Sequence, residues 1–399
     1  MKAKFIAAVA LAALVVIPAA AQPTAELQEL KQTVQLLLQR IEQLENQQQE
    51  IVVAQETIVE RVENSAASQL AQWAEKTTIG GYGELHWNNT NETKEVDLHR
   101  FVLFFGHQFT ANLRFFSELE VEHSIAGDDK NGEVELEQAY IEYDINDSHR
   151  VLGGQFLIPV GIINETHEPD TFYGVERNNV EKNIIPATWW EAGVMFSGEL
   201  GSGFGYDLAV HSGLKAEKNG AFTFKPRDGR QKVSQADASD GAVTARIKYS
   251  GIAGLALAAT VQHQGDMAQS ESGLDDASGL LFETHVVYEN GPFGLRALYA
   301  QWDIDGDEAK ALGRDEQDGW YVEPSYRLNK NWGVFIRQSA WDNEAGGNGD
   351  SEFKQLDLGV NYWPHENVVI KLDWIDQDAP SGSTKPDEDG FNVGIGYQF

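Results

Sequence analysis

Residues 390–399 read Gly390-Phe391-Asn392-Val393-Gly394-Ile395-Gly396-Tyr397-Gln398-Phe399. In an extended strand successive side chains point to opposite faces. Phe391, Val393, Ile395, Tyr397 and Phe399 therefore share one face, and Asn392, Gly394, Gly396 and Gln398 the other. Upstream, residues 354–362 repeat the arrangement, with Leu356, Leu358, Val360 and Tyr362 opposite Asp357, Gly359 and Asn361. Residues 242–249 set Val243, Ala245, Ile247 and Tyr249 against Thr244, Arg246 and Lys248. A soluble β-protein also alternates, but its apolar face meets a dry core. Charged side chains opposite large apolar ones, in strand after strand, are expected of a barrel with lipid outside and water inside.

The same alternation marks sixteen strands, near 78–88, 96–109, 112–123, 133–145, 149–157, 187–198, 204–214, 241–250, 254–264, 280–290, 292–303, 319–328, 331–342, 353–363, 366–376 and 390–399. Their connections alternate in length. Short ones fall near 110–111, 146–148, 200–203, 251–253, 290–291, 329–330 and 364–365. Long ones are 89–95, 124–132, 158–186, 215–240, 265–279, 304–318, 343–352 and 377–389. Short turns on one side and long loops on the other are the pattern of outer-membrane barrels, and an even strand count returns both barrel ends to the periplasmic side. Aromatics near strand ends (Tyr82, Trp87, Trp189, Trp190, Trp302, Trp320, Trp332, Trp341, Trp363 and Trp374) are expected to form interfacial girdles.

The segments before the barrel differ in character. Lys2 and Lys4 precede an apolar run over Phe5–Val16, followed by Pro18 and Ala19-Ala20-Ala21. This predicts a signal peptide over 1–21, cleaved after Ala21. In 22–76, Leu27, Leu30, Val34, Leu37, Ile41, Leu44, Ile51, Ile58 and Val62 hold a heptad register, with Gln48 and Gln55 as polar exceptions. A seam of about five heptads predicts a coiled coil, and Ile at two d positions leans toward three strands. A lone amphipathic helix is the alternative reading of that spacing. Ser65-Ala66-Ala67-Ser68 weakens the seam and predicts a hinge. The expected fold is all-β: a sixteen-stranded antiparallel transmembrane β-barrel over 77–399, preceded by an α-helical coiled coil.

The chain has no cysteine and a formal net charge of −32. Disulfides and thiolate metal sites are thereby excluded, and nucleic acid, which recruits basic surfaces, is disfavoured as a partner. There is no Gly-x-Ser-x-Gly, no His-Glu-x-x-His and no compact Ser/His/Asn grouping, so no catalysis, cofactor or metal is expected.

Four stretches resemble the phosphate-selective porin O and P family: Ile79-Gly80-Gly81-Tyr82-Gly83, Glu137-Gln138-Ala139-Tyr140-Ile141, Gly154-Gln155-Phe156 and residues 390–399. The terminal Phe after alternating aromatics looks like the signal that barrel-assembly machinery reads. The resemblance spans roughly 77–399. It implies a sixteen-stranded trimeric porin with an inward-folded third loop, whose phosphate-selective members use basic residues along the pore. The implied role is passive diffusion of small ions and solutes, with a structural envelope protein tethered or trimerised by its coiled coil as the alternative. The implied partners are copies of the same chain, outer-membrane lipid and lipopolysaccharide, and the solutes themselves.

By strand parity the pore-lining and anion-binding candidates are Arg114, Arg246, Lys248, Arg296, Arg327, Arg337 and Lys371. The same face carries more acids: Glu118, Glu120, Glu122, Glu135, Glu137, Glu191, Asp207, Glu283, Glu323, Asp357 and Asp373. Charge rings and clusters set ion preference in pores, so parity leaves the preferred sign of ion open. Loop 158–186 is long enough to be functional and is expected to narrow the barrel, presenting Glu165, His167, Glu168, Asp170, Glu176, Arg177 and Lys182. His167 among these acids is expected to be solvated. Loop 215–240 breaks the acidic trend with Lys215, Lys218, Lys225, Arg227, Arg230 and Lys232, a patch that could steer anions toward the mouth.

Overall fold

The computed structural model describes residues 25–63, 65–125, 132–218, 220–271, 273–381 and 383–399. The expected signal peptide lies outside the described residues. The chain divides into two units, with the boundary between Glu75 and Lys76. The first is helical, comprising α1 (Ala25–Glu63) and α2 (Ala66–Glu75). The first helix ends at Glu63 and the second begins at Ala66, in the stretch expected to weaken the seam. Ser65 Oγ accepts from Ser68 N at 3.2 Å, capping a donor that the helix start leaves unpaired. Along α1 the seam residues Leu30, Leu37, Ile41, Leu44, Ile51, Ile58 and Val62 are 42–60% exposed.

The second unit contains sixteen strands. They are β1 (Thr77–Thr90), β2 (Lys94–Gln108), β3 (Leu113–Glu122), β4 (Val134–Asn146), β5 (His149–Leu157), β6 (Trp190–Gly201), β7 (Phe204–His211) and β8 (Ala242–Ile252). β9 (Leu255–Gln264), β10 (Ser278–Asn290), β11 (Phe293–Asp305), β12 (Glu316–Arg327), β13 (Trp332–Asp342), β14 (Phe353–His365), β15 (Val368–Asp378) and β16 (Glu388–Gln398) follow. Each pairs with its sequence neighbours, and β1 pairs antiparallel with β16 to close the barrel. At that seam Gly81 and Phe399 exchange backbone hydrogen bonds of 3.0 and 2.9 Å. The outer face carries exposed Val243, Ile247, Phe282, Leu358, Phe391 and Ile395. An apolar belt of this extent is the surface of a barrel solvated by lipid.

Three expectations are corrected. The first connection is 91–93 rather than a long loop, because β1 and β2 stay paired out to Asn89↔Lys94. The aromatic girdle is smaller than predicted. Trp87, Trp320 and Trp332 are exposed, but Tyr82, Trp189, Trp190, Trp302, Trp341 and Trp363 are buried. Trp302, for example, shares the inner parity of Leu298 and Ala300. Part of the lumen is accordingly dry rather than water-filled.

Parity also slips at two β-bulges, where one extra residue re-aims the strand. In β2, Arg100 pairs with Glu84 and Leu98 with Leu85, leaving His99 unpaired. In β4, Gln138 pairs with Glu118 and Leu136 with Leu119, leaving Glu137 extra. Beyond that bulge the inner face continues through Glu142 and Asp144, which parity from Glu137 would not reach; both pair with Arg114.

Candidate functional site

The third outer loop, residues 158–189, folds into the lumen around α3 (Asn179–Asn183), whose N-cap Asn178 accepts from Glu181 N at 2.8 Å. Its apolar residues explain why it stays there. Ile158, Val180, Ile184 and Ile185 are fully buried against Trp189, Leu281, Trp302 and Tyr321, and Trp302 Nε1 donates to Ile184 O at 2.9 Å. Burying one such side chain contributes roughly 1.5–3 kcal/mol. Several together make this loop a fixed insert rather than a lid.

Glu181 ties the insert together. Its buried carboxylate accepts from Ile162 N, Ile163 N, Tyr321 Oη and Asn178 Nδ2 at 2.8, 2.6, 2.8 and 3.2 Å. Burial pushes the carboxyl above its usual range, and those donors pull it back. Gly161 makes the approach possible: it has φ +73°, and a Cβ there would lie 2.6 Å from Glu181 Oε2. Gly396 does the same for the opposite wall, where a Cβ would meet Pro169 at 2.4 Å.

Most of the basic residues predicted to line the pore are engaged by carboxylates or aromatic rings. Arg246 pairs with Asp207 and with Glu165 of the loop. Lys248 pairs with Asp207 at 3.0 Å. Arg337 sits between Glu323 at 3.1 Å and Asp357 at 3.0 Å. Arg114 is held by Glu142 and Asp144. Lys371 lies over the Phe172 ring, 3.6 Å from its centroid. Arg296 donates to Thr171 O at 2.6 Å, and Arg327 covers Trp363 at 3.5 Å. Arg296 and Arg327, with Asp170 of the loop, border a small cavity of about 120 Å³ beside the Gly291 turn. Glu168 accepts through its carbonyl from Thr171 N at 3.0 Å.

His167 is not solvated. It is buried, with Nε2 at 3.3 Å from Glu118 and 3.5 Å from Glu137. Burial alone would discharge the ring, but the two glutamates outweigh it and hold its pKa at about 10. The expectation failed because both carboxylates come from barrel strands rather than from the loop.

Beside the third loop, where the sequence places the constriction, the lumen holds a cavity of about 290 Å³. Its acidic lining comes from Glu84 of β1, Glu122 at the end of β3, Glu133, Glu135 and Glu137 at and just before the start of β4, and Glu176 of the third loop. Glu84 pairs with Arg100 at 2.7 Å, which also reaches Glu120 at 3.4 Å. Glu133 and Glu135 are both bound by Lys232. Glu176 is bound by His86 at 2.9 Å. Glu122 faces the cavity with no cation within 4 Å among the described residues.

The basic lining is Arg177 and Lys182 from the third loop and Arg227 and Arg230 from the fourth. The fourth loop, residues 212–241, therefore reaches the constriction rather than only the mouth. Buried Leu214, Ala216 and Phe224 draw it into the apolar cluster. Arg227 Nη1 donates to Ala187 O at 2.9 Å and Arg230 Nη1 to Thr188 O at 2.7 Å. Arg177 Nη1 donates to Thr188 Oγ1 at 2.6 Å. None of these four cations has a carboxylate within 4 Å among the described residues. They also repel one another. Burial, then Arg227, holds the Lys182 ammonium below its usual range, and burial, then Arg230 and Arg177, pushes the Arg227 guanidinium down.

Glu84, His86 and Arg100 were missing from the predicted lining. Glu84 and His86 follow from alternation in β1, opposite Leu85 and Trp87, whereas Arg100 is hidden by the β2 bulge. Arg227 and Arg230 carried a signal, the basic composition of their loop, but nothing in sequence placed that loop inside the barrel.

Comparison with known proteins agrees with this architecture. Residues 80–399 match the family described as phosphate-selective porin O and P. A curated relative, an uncharacterized protein of Aquifex aeolicus, is 30% identical over 369 residues, covering 84% of this chain and 82% of that one. The anion-selective porin from Comamonas acidovorans is similar in fold, with a TM-score of 0.58 and 14% identity, over 81% of this chain and 99% of that one. An OmpT of Vibrio cholerae, solved in a trimer form, gives a TM-score of 0.54 at 10% identity, over 81% and 99%.

Proposed function

Because the chain belongs to the phosphate-selective porin O and P family, and so forms a bacterial outer-membrane channel for passive diffusion, we propose that it conducts anions in preference to cations. Phosphate-like oxyanions would be held between Arg177, Lys182, Arg227 and Arg230. One observation carries this reading: the acidic residues of the cavity are largely matched by Arg100, Lys232, His86 and His167, while the four cations lining it have no carboxylate within 4 Å among the described residues. Unmatched charge, not total charge, sets the local potential that a passing ion meets. Arg is also suited to binding phosphate through paired N–H groups. The mechanism is passive and requires no catalytic group.

The reversal potential of the purified protein in a planar bilayer under a KCl gradient tests it. An anion preference is expected, with chloride current blocked by millimolar phosphate. A cation preference with phosphate inert would mean that Glu122 and the acidic wall dominate.

We also infer a homotrimer anchored in lipid and lipopolysaccharide, with α1 in the periplasm and its seam closed by two further copies. The exposed heptad apolar residues of α1 support this, as does three-stranded preference with Ile at d positions. Deleting residues 22–70 is expected to dissociate the trimer on semi-native gels while each barrel still conducts. A trimer that survives the deletion would make the helix a tether or spacer instead.

A further inference from the structure

Beside the constriction, β2 and the end of β3 bring two imidazoles and a carboxylate together. Asp97 Oδ2 lies 3.1 Å from His99 Nδ1 and 2.7 Å from His123 Nδ1. Ligand atoms of all three lie within 4.8 Å of one another. A third imidazole, His86, stacks on His99 with ring centroids 4.6 Å apart and planes 15° from parallel. His86 is fixed at both ring nitrogens, by Glu176 at 2.9 Å and Glu84 at 3.3 Å.

Two backbone irregularities build this grouping. His99 is the extra residue of the β2 bulge; regular alternation from Arg100 would turn it toward lipid. His123 has φ +50°, a conformation uncommon for a residue with a side chain, and its N–H donates to His99 O at 3.1 Å. Irregularities of this kind concentrate at functional sites. Neither the anchoring of the third loop nor the matched acidic wall uses Asp97 or His123. The three side chains are 19–35% exposed. His99 and His123 border both the constriction and an adjoining cavity of about 270 Å³, and Asp97 borders the latter, so a solute in the lumen can reach them.

We propose that Asp97, His99 and His123 bind a divalent transition cation of the Zn²⁺ class, with its remaining coordination positions open to the lumen. Tetrahedral zinc with ligands at about 2.0–2.1 Å sets neighbouring donor atoms roughly 3.3 Å apart. Asp97 already holds both nitrogens near that spacing, so small side-chain rotations admit the ion. Two imidazoles and one carboxylate suit Zn²⁺, Cu²⁺ or Ni²⁺, whereas Mg²⁺ and Ca²⁺ take oxygen shells. His86 packs beneath the His99 ring and orients it, a supporting role common around metal ligands.

Isothermal titration of tag-free, detergent-solubilised full-length protein with ZnCl₂, and separately MgCl₂, tests the assignment. One saturable Zn²⁺ site per chain is expected, with no matching Mg²⁺ site. His99→Ala and His123→Ala should each weaken it at least tenfold, while His365→Ala, at the exposed end of β14, leaves it unchanged. Zinc K-edge absorption of the loaded protein should report two imidazoles and oxygen in the inner shell. Heat-modifiable gel mobility verifies that each variant folds, and either His variant alone suffices. Undiminished zinc binding in a folded His variant, no saturable zinc binding by the wild type, or an oxygen-only shell would overturn the proposal.

Discussion

Replacing Arg177, Arg227 and Arg230 together by glutamine is expected to reverse the sign of the zero-current potential in a KCl gradient, turning an anion-preferring channel into a cation-preferring one. Removing three positive charges leaves Lys182 facing Glu122, with the matched acidic wall behind it. Each unit of charge counts for more here than on an open surface, because the insert and the barrel wall keep bulk water at a distance. Glutamine removes the charge but keeps a polar side chain, and buried Leu214, Ala216 and Phe224 hold the loop in place. Phosphate block should disappear in the same variant. Lys248→Gln is the informative control. Lys248 shares the inner parity but is matched by Asp207 at 3.0 Å, so its loss should leave the potential close to that of the wild type. A triple variant that still prefers anions would remove the basis of the proposed selectivity.

Glu181→Ala is expected to release the third loop and raise single-channel conductance, with open-channel noise. The carboxylate gathers two backbone amides, a phenol and an amide side chain in a buried setting. Hydrogen bonds to a charged group are worth roughly 1.5–3 kcal/mol each, and donors stranded without water cost more. A net loss of about 3 kcal/mol for the insert is therefore expected, read as a lower urea midpoint for the loop-reporting fluorescence of Trp189 and Trp302. The barrel itself should persist, because its strand ladder does not depend on Glu181. Tyr321→Phe removes one of the four donors and should cost about 1 kcal/mol, with conductance near that of the wild type. Conductance unchanged in Glu181→Ala would mean that apolar burial alone holds the insert.

The barrel was legible because strand pairing is written in period two. The alternation in residues 390–399 reappears as β16, and all sixteen strands lie within a few residues of their expected places. The constriction was less legible, for two physical reasons. Parity is a local rule, and a single extra residue at His99 or Glu137 resets it. Burial is a non-local outcome: Leu298 and Trp302 line an inner face that an open pore would keep polar, and only the arrival of Ile184 and Ile185 from the third loop accounts for them. Counting charges by sign gave more acids than bases on the inner face. Pairing changes that count beside the third loop, since Lys232 and Arg100 are bound by acids while Arg177 and Arg230 bind neutral oxygens.

The seam between Thr77–Thr90 and Glu388–Gln398 imposes an order on biogenesis. Every other ladder joins strands adjacent in the chain, but this one waits for the sixteenth strand. Until then the sheet has two raw edges, each offering unpaired amides and carbonyls to any other chain. A chain that stops short of β16 has no way to satisfy them within its own sheet. Closure at the seam removes both edges in one step, so the first and last strands of the barrel are protected together or not at all.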